Sequence, residues 1–191
     1  MFTDPTVGNR SKLPTGLLIK TAAVLVVVLV AVVAFRGGDE KASGTSTKAD
    51  SWVLPALKGS DPIRLADYRG KPVVVNLYAS WCSVCDLEMP DYATVSTQLK
   101  GKITFIGVAS METGDPNLMP QRHGLSWWPL ARDTGGSRQS GLHDELAKGF
   151  GMPVTAFYDE DGKLLRVKKG GLVGSDLTDS LSEVYGVDVK L

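Results

Sequence analysis

The only cysteines of this 191-residue chain are Cys82 and Cys85, which are separated by two residues. They follow an apolar, β-branched run that ends at Ala79, so the pair is predicted to lie between a strand and a helix. Two thiols at this spacing and in this context are typical of a dithiol redox site. Because the sequence has no further cysteine, the pair has no third thiol to react with.

The position of each thiol predicts its task. In the first turn of a helix, the Cys82 sulfur lies near unpaired N–H groups and the positive end of the helix dipole, which favour the thiolate. We therefore expect Cys82 to attack the substrate and Cys85, one turn further on, to resolve the mixed disulfide. Glu88 follows Cys85 by three residues and can approach the thiols along the helix as a proton acceptor for Cys85. The alternative for Glu88 is a solvated surface carboxylate.

Two other uses of the cysteines are less favoured. A structural disulfide, or a pair of inert buried thiols, is disfavoured because closing a loop of two residues adds little chain-entropy stabilisation. A structural zinc site would require four ligands, whereas His123 and His143 stand alone in the sequence and are expected at the surface. We therefore expect no metal and no cofactor beyond the dithiol.

The elements around the cysteines follow from the apolar pattern. Residues 71–79 are predicted to form a strand covered on both faces, and residues 103–108 a second buried strand. Between them, residues 82–99 are predicted to form a helix kinked at Pro90. Its apolar residues at roughly helical spacing are Val84, Leu87, Tyr92, Val95 and Leu99.

The remaining segments complete an α/β pattern. Residues 52–57 and 63–65 flank a turn and indicate a short hairpin. The later predicted elements are a short helix and loop at 112–124, a strand at 128–132, a helix at 142–150, a hairpin of 154–158 with 163–168, and a final helix at 175–185. This order predicts a mixed sheet with helices on both faces.

The amino-terminal part has a different composition. Residues 1–16 are expected to be a short cytoplasmic tail, and residues 17–36 approach the apolar length needed for one transmembrane signal anchor. A cleaved signal peptide is the alternative. Residues 37–50 are predicted to be a flexible linker, and residues 51–191 one domain. A short tail before a single anchor places that domain outside the cell membrane.

Charge excludes one class of partner. The chain has 21 basic and 21 acidic residues, and its globular part shows no cluster of lysine or arginine. The electrostatic field that recruits nucleic acid is therefore absent. Partners are instead expected to be the thiols or disulfides of exported proteins, together with the membrane and a membrane electron donor or acceptor.

The segment LYASWCSVCDLEMP, residues 77–90, resembles the active-site segment of membrane-anchored thioredoxin-like oxidoreductases of the TlpA/ResA/CcmG (DsbE-like) family. The approach LADYRGKPVVVN and the later Gly-Met-Pro-Val-Thr segment add to the resemblance. It implies a thioredoxin fold with an N-terminal β-hairpin extension and an inserted helix, preceded by one transmembrane helix. It also implies a thiol-disulfide oxidoreductase with a redox-active Cys82–Cys85 disulfide.

The same resemblance implies further site residues. In general-purpose thioredoxins an aspartate on the preceding strand accepts the proton, but the corresponding residue here is Asn76, which does not titrate. Glu88 is therefore implied to take over that task. Met152 and Pro153 are implied to form a cis peptide beside the cysteines and to bind substrate through the backbone, and Trp81 is implied to wall the substrate site.

Three functions remain open at this point. The first is a reductant of exported protein thiols, such as apocytochrome c before haem attachment, which the resemblance favours. The second is an oxidant that forms disulfides in secreted proteins, since Ser83-Val84 between the cysteines indicates neither direction. The third is a non-catalytic membrane-tethered module for binding or metal delivery. Peroxidase activity is less favoured because no Thr-x-x-Cys context or second peroxidatic cysteine is present.

Overall fold

The architecture is that of a computed structural model, which describes residues 48–136 and 141–191. The predicted tail, the predicted transmembrane segment and most of the predicted linker lie outside the described residues. Across the two described ranges, no helix combines the length and the apolar character needed to cross a membrane.

Strands and helices alternate along the chain. The strands are β1 (Val53–Leu54), β2 (Ile63–Arg64), β3 (Val73–Tyr78), β4 (Thr104–Ser110), β5 (Leu130–Asp133), β6 (Val154–Tyr158) and β7 (Leu164–Lys169). The α-helices are α1 (Ser83–Gln98), α2 (Leu118–Arg122), α3 (Leu142–Ala147) and α4 (Ser175–Tyr185), and Leu65–Tyr68 forms a 3-10 helix.

The central sheet has the strand order β5-β4-β3-β6-β7. Strands β3, β4 and β5 run parallel, whereas β6 is antiparallel to β3 and to β7. Strands β1 and β2 pair antiparallel in a separate sheet of two strands. All six residues of the central strand β3 are buried, as expected of a strand covered on both faces. The predicted mixed α/β sheet is confirmed.

The side chains of β3 divide between two apolar layers. Val74 and Tyr78 pack in the layer that includes α1 and α4, whereas Val75 and Leu77 pack in the layer that includes α3. This alternation is the ordinary consequence of the two-residue period of a strand. Asn76 has the parity of Val74 and Tyr78, so the strand directs its amide towards α1.

Helix α1 buries only some of the apolar residues that stand at helical spacing in its sequence. Leu87 is 67% exposed and Val84 is also exposed, whereas Tyr92 and Val95 are fully buried. The buried positions of the helix are Cys85, Glu88, Met89, Tyr92, Val95 and Ser96. These positions recur at spacings of three and four residues, which defines one helical face. The apolar residues Val84 and Leu87 therefore lie outside the buried face, which starts at Cys85.

Candidate functional site

The two cysteines lie at the start of α1 and form a disulfide. Cys82 is the N-cap residue of the helix, and its Sγ accepts the backbone N–H of Cys85 at 3.1 Å. Cys85 is completely buried, whereas Cys82 retains 5% of its surface. Because exchange begins with attack on an accessible sulfur, Cys82 is the sulfur of the pair that an incoming thiolate can reach.

The end of β3 and the start of α1 meet at this point. The Cys82 N–H donates to the carbonyl of Ala79 at 3.0 Å, and the Asp86 N–H donates to the carbonyl of Cys82 at 3.1 Å. The first N–H groups of a helix have no partner within it, and the Cys82 sulfur satisfies one of them. After reduction, the same N–H group and the helix dipole stabilise a Cys82 thiolate.

Glu88 is fully buried one turn after Cys85. Its Oε1 accepts a hydrogen bond from Asn76 Nδ2 at 2.7 Å, and its Oε2 accepts one from the Leu172 N–H at 2.8 Å. The alternative of a solvated surface glutamate is therefore wrong. Because Cys85 and Glu88 are three positions apart, they share one face of α1.

Burial changes the protonation of this carboxyl. Burial raises the pKa of Glu88 to about 7, against the opposing effect of the hydrogen bonds from Leu172 and Asn76, and the charge of nearby Asp91 raises it further. A carboxyl with a pKa near 7 gains and loses protons readily at neutral pH, as a general acid or base must. Such a strongly shifted group beside a disulfide indicates a functional site.

A second buried pair lies beside Asn76. The hydroxyls of Tyr92 and Thr155 are 2.7 Å apart, and Thr155 is the partner of Asn76 in the β3–β6 register. Burial raises the pKa of Tyr92 well above its ordinary value, so the phenol stays protonated. Sequence reasoning missed Tyr92 and Thr155. The available signal was the single amide of Asn76 in an otherwise apolar strand.

Met152 and Pro153 reach the same edge of the sheet as the cysteines. Their peptide bond is cis, as the resemblance implies. Strand β6 begins directly after Pro153 and pairs its Val154 with Leu77 near the end of β3. The Pro153 carbonyl accepts the N–H of Gly170 at 2.9 Å. The antiparallel register thus places the Met152–Pro153 segment beside the end of β3 that leads to Cys82.

The segment that precedes Cys82 is held by a loop after β4. Trp81 is 52% exposed, and its indole N–H donates to the carbonyl of Met111 at 2.9 Å. The Ser80 N–H and hydroxyl both donate to the Glu112 carboxylate, at 2.7 and 2.5 Å. Burial acts to raise the pKa of Glu112, but hydrogen bonds from Ser80 and Gly114 keep it below its usual value. Sequence analysis missed Ser80 and Glu112.

The prediction that the histidines lie at the surface was wrong for His143, which is buried, whereas His123 is partly exposed. The side chain of His123 is 16% exposed, and its Nε2 lies 2.8 Å from Asp86 Oδ1. His143 is buried; its backbone N–H donates to Asp133 Oδ2 at 2.8 Å, and its imidazole Nε2 lies 3.2 Å from the carbonyl oxygen of Gly151. Each histidine is held by hydrogen bonds to residues that are not its neighbours in the sequence, which a local pattern does not reveal. In the described part of the chain, no group of three or more His, Cys, Asp or Glu residues could hold a metal ion.

Comparisons with known proteins agree with this geometry. Residues 45–167 match the AhpC/TSA family. The thiol-disulfide oxidoreductase ResA of Geobacillus thermodenitrificans is 28% identical over 153 residues, which cover 76% of this chain and 81% of that protein. ResA of Bacillus thuringiensis is 30% identical over 131 residues, covering 66% of this chain and 70% of the relative.

A solved structure shares the fold. The exposed lipoprotein thioredoxin Etrx1 of Streptococcus pneumoniae superimposes with a TM-score of 0.55 and is 25% identical. The match covers 70% of this chain and 98% of the pneumococcal chain. The described domain therefore has the thioredoxin-like α/β fold that the resemblance implies.

Proposed function

Because the chain belongs to the AhpC/TSA family and is a thiol-disulfide oxidoreductase of the ResA type, we propose that it reduces disulfides of exported proteins outside the cell membrane. The observation that carries this proposal is the disulfide between Cys82 and Cys85 at the start of α1. One turn further on, the buried carboxyl of Glu88 has a pKa of about 7.

The reduced enzyme would act in two steps. The Cys82 thiolate attacks one sulfur of a substrate disulfide, which forms a mixed disulfide and releases the other substrate sulfur as a thiolate. The Cys85 thiol then transfers its proton to the Glu88 carboxylate, and the Cys85 thiolate attacks the Cys82 sulfur. This step releases the reduced substrate and leaves the enzyme disulfide. Two electrons from a membrane dithiol donor restore the reduced pair.

The carboxyl of Glu88 is suited to the second step. Cys85 is completely buried, and burial of a thiol in apolar surroundings disfavours its thiolate. A proton acceptor on the same helical face compensates for this effect at the moment of resolution. Glu88 serves in that place because the chain has Asn76 on β3, whose amide holds the carboxylate but takes up no proton.

Substrate contacts are proposed on three residues around Cys82. The exposed indole of Trp81 offers an apolar surface directly before the nucleophile. The backbone of Met152 and Pro153, at the same sheet edge, offers polar groups to an extended polypeptide. An extended segment around a substrate cysteine fits these contacts, and apocytochrome c before haem attachment is one such exported substrate.

The proposed location follows from the sequence. Residues 17–36 would anchor the chain in the cell membrane, with residues 1–16 inside and the domain outside. A reporter enzyme that is active only outside the cytoplasm, joined after the last residue, should be active in cells. The same reporter joined after residue 16 should be inactive, and the opposite pattern would contradict the proposed orientation.

A covalent trap tests the mechanism. The full-length Cys85→Ser chain should accumulate mixed disulfides with exported proteins, because Cys82 attacks but no second thiol resolves the intermediate. These species should appear as thiol-sensitive bands on non-reducing gels and identify the substrates. The matched control is Cys82→Ser, which should trap far less because Cys85 is buried. Equal trapping by both variants, or by neither, would contradict the proposed roles.

The reduction potential decides the direction of electron flow. The full-length chain would be equilibrated with dithiothreitol or glutathione buffers while tryptophan fluorescence is followed, with Trp81 next to the disulfide as the reporter. A potential near roughly −270 mV supports the reductant, whereas one near roughly −120 mV supports the alternative of a disulfide-forming oxidant. Full cellular function of the double cysteine-to-serine variant would favour a non-catalytic module instead.

A further inference from the structure

The loop between β7 and α4 is attached to α1 by two carboxylates. The Leu172 N–H donates to Glu88 Oε2 at 2.8 Å, and the Gly174 N–H donates to Asp91 Oδ2 at 2.7 Å. Glu88 and Asp91 are three residues apart and lie on neighbouring positions of one helical face. Residues 170–174, here called the glycine loop, are thus bound to α1 at two points by hydrogen bonds to carboxylates.

The glycine loop also lies close to α1 and to the Pro153 segment. A Cβ atom at Gly171 would lie 2.7 Å from Val84 Cγ1, a distance at which atoms of the two residues would overlap. At the start of the loop, the Gly170 N–H donates to the Pro153 carbonyl at 2.9 Å. The loop therefore connects the helix that carries the cysteines with the segment proposed to bind substrate.

The charged surroundings of Glu88 are unusual for a buried carboxylate. Among the described residues, no salt bridge includes Glu88. The groups that face it are the neutral amide of Asn76 from β3, the Leu172 N–H from the glycine loop, and Asp91 and Tyr92 from its own helix. Asp91 is thus the one other carboxyl group among these neighbours.

We propose that Asp91 is a positioning residue for the thiol-disulfide reaction, which holds the glycine loop on α1 so that the Leu172 N–H stays on Glu88. This inference rests on the proposed role of Glu88 as the proton acceptor of Cys85. Its second element is electrostatic. The Asp91 carboxylate opposes ionisation of Glu88 and so favours the protonated form that exists after Cys85 has lost its proton.

A purely structural role for Asp91 would have different consequences. Gly174 is the N-cap residue of α4, and a carboxylate on its N–H stabilises a helix start whatever the chemistry of Glu88. Such a role predicts a change in stability or in loop opening, with no displacement of the pH dependence of exchange. A test must therefore measure the pH profile together with loop opening.

Three full-length variants separate these effects. Asp91→Asn keeps an oxygen acceptor for Gly174 but removes the charge, whereas Asp91→Ala removes both. Asp179→Asn is the control, because it makes the same charge change on α4, away from the glycine loop. Loop opening is measured in the full-length variants as amide hydrogen exchange of residues 170–176. The rate at which dithiothreitol reduces the Cys82–Cys85 disulfide is measured from about pH 5 to about pH 9.

At each pH, the rate is divided by that of Glu88→Gln, which removes the titration of the reagent itself. We expect Asp91→Asn to move the midpoint of the remaining pH dependence to lower pH, with little change in loop opening. Asp91→Ala should also increase amide exchange in the glycine loop by about tenfold, since one charge-assisted hydrogen bond is lost. Asp179→Asn should change neither quantity.

The outcomes distinguish this inference from the proposed function. If Glu88→Gln abolishes the pH dependence and both Asp91 variants keep it with an unchanged midpoint, the inference is overturned and the role of Glu88 stands. Unchanged amide exchange in Asp91→Ala would overturn the inference as well. If wild type and Glu88→Gln have the same pH profile, the proposed role of Glu88 fails, and the positioning role fails with it.

Discussion

Helices α1 and α4 pack on the same face of the sheet but follow different rules. Helix α4 buries Leu177 and Leu181, the pattern of an ordinary amphipathic helix. Its buried Ser180 donates to the carbonyl of Asp176, four residues earlier in the same helix. Helix α1 instead buries the carboxyl of Glu88 and exposes Leu87.

The two helices differ in how their buried polar groups are hydrogen-bonded. The buried polar group of α4 is satisfied within its own helix, whereas Glu88 takes hydrogen bonds from β3 and from a loop 84 residues further along the chain. A buried carboxyl with a pKa near 7 lowers stability at high pH, so packing does not explain it. A buried ionisable group that lowers stability is expected at a functional site rather than in an ordinary core. Helix α4 packs through ordinary apolar residues, whereas α1 carries the cysteine pair and the buried Glu88.

The largest expected effect is the loss of exchange activity when the cysteine at the start of α1 is replaced. Cys82→Ser should reduce exchange to the uncatalysed background, because the accessible sulfur of the pair is lost. Its free energy of unfolding should change much less than that of a core variant, since the disulfide closes a loop of only two residues. Dithiothreitol-dependent reduction of a protein disulfide and urea unfolding measure the two quantities. Retention of exchange by this variant would contradict the assignment of the nucleophile.

Truncation of a buried leucine in α4 should lower stability and leave exchange activity unchanged. Leu181→Ala removes a fully buried leucine and should lower the free energy of unfolding by about 2 to 5 kcal/mol. Exchange per folded molecule should be unchanged, because Leu181 carries none of the reacting groups. Urea unfolding and exchange assays at low temperature are the measurements. A loss of exchange that exceeds the unfolded fraction would remove the proposed distinction between the helices.

Glu88→Gln should raise stability at high pH but slow thiol-disulfide exchange. The folded protein holds the proton of Glu88 up to a pKa of about 7, whereas an ordinary glutamate has a pKa of 4.5. The stability of the wild type therefore falls as the pH rises between these values. At pH above 7, the variant should be more stable by at most about 3 kcal/mol, and this gain should diminish towards pH 5.

The same variant should resolve mixed disulfides more slowly, because the introduced amide accepts no proton. The amide oxygen of Asn76 has no hydrogen-bond partner among the described residues, so rotation of the Asn76 amide can accommodate the glutamine side chain. Stability curves at several pH values and single-turnover exchange test both parts. A variant that is less stable than wild type at high pH would contradict the account of Glu88.

The smallest effect is expected at the exposed apolar residue of α1. Leu87→Ser should change the free energy of unfolding by no more than about 0.5 kcal/mol, because the leucine side chain is largely in solvent. The matched comparison is Leu177→Ser in α4, which places a hydroxyl at a fully buried position and should be strongly destabilising. Similar losses in thermal melting for both variants would show that Leu87 is part of the core.

Local sequence patterns predicted most of the fold. The apolar runs of β3 and β4, the hairpin of β6 and β7, and the position of α4 were predicted because each depends on periodicity within a short segment. The Cys82–Cys85 pair was found for the same reason, since its spacing and its place between strand and helix are local features.

What the sequence by itself determined was therefore the dithiol, the order of the elements and the mixed α/β sheet. Only the tertiary structure decided that Glu88 is buried and held by Asn76 and Leu172, and that the His123 imidazole and the His143 backbone N–H contact carboxylates. These contacts join residues that are 10 to 84 positions apart. A helical pattern gives spacing but not which face meets the sheet, and a pKa depends on burial and neighbouring charges that exist only after packing.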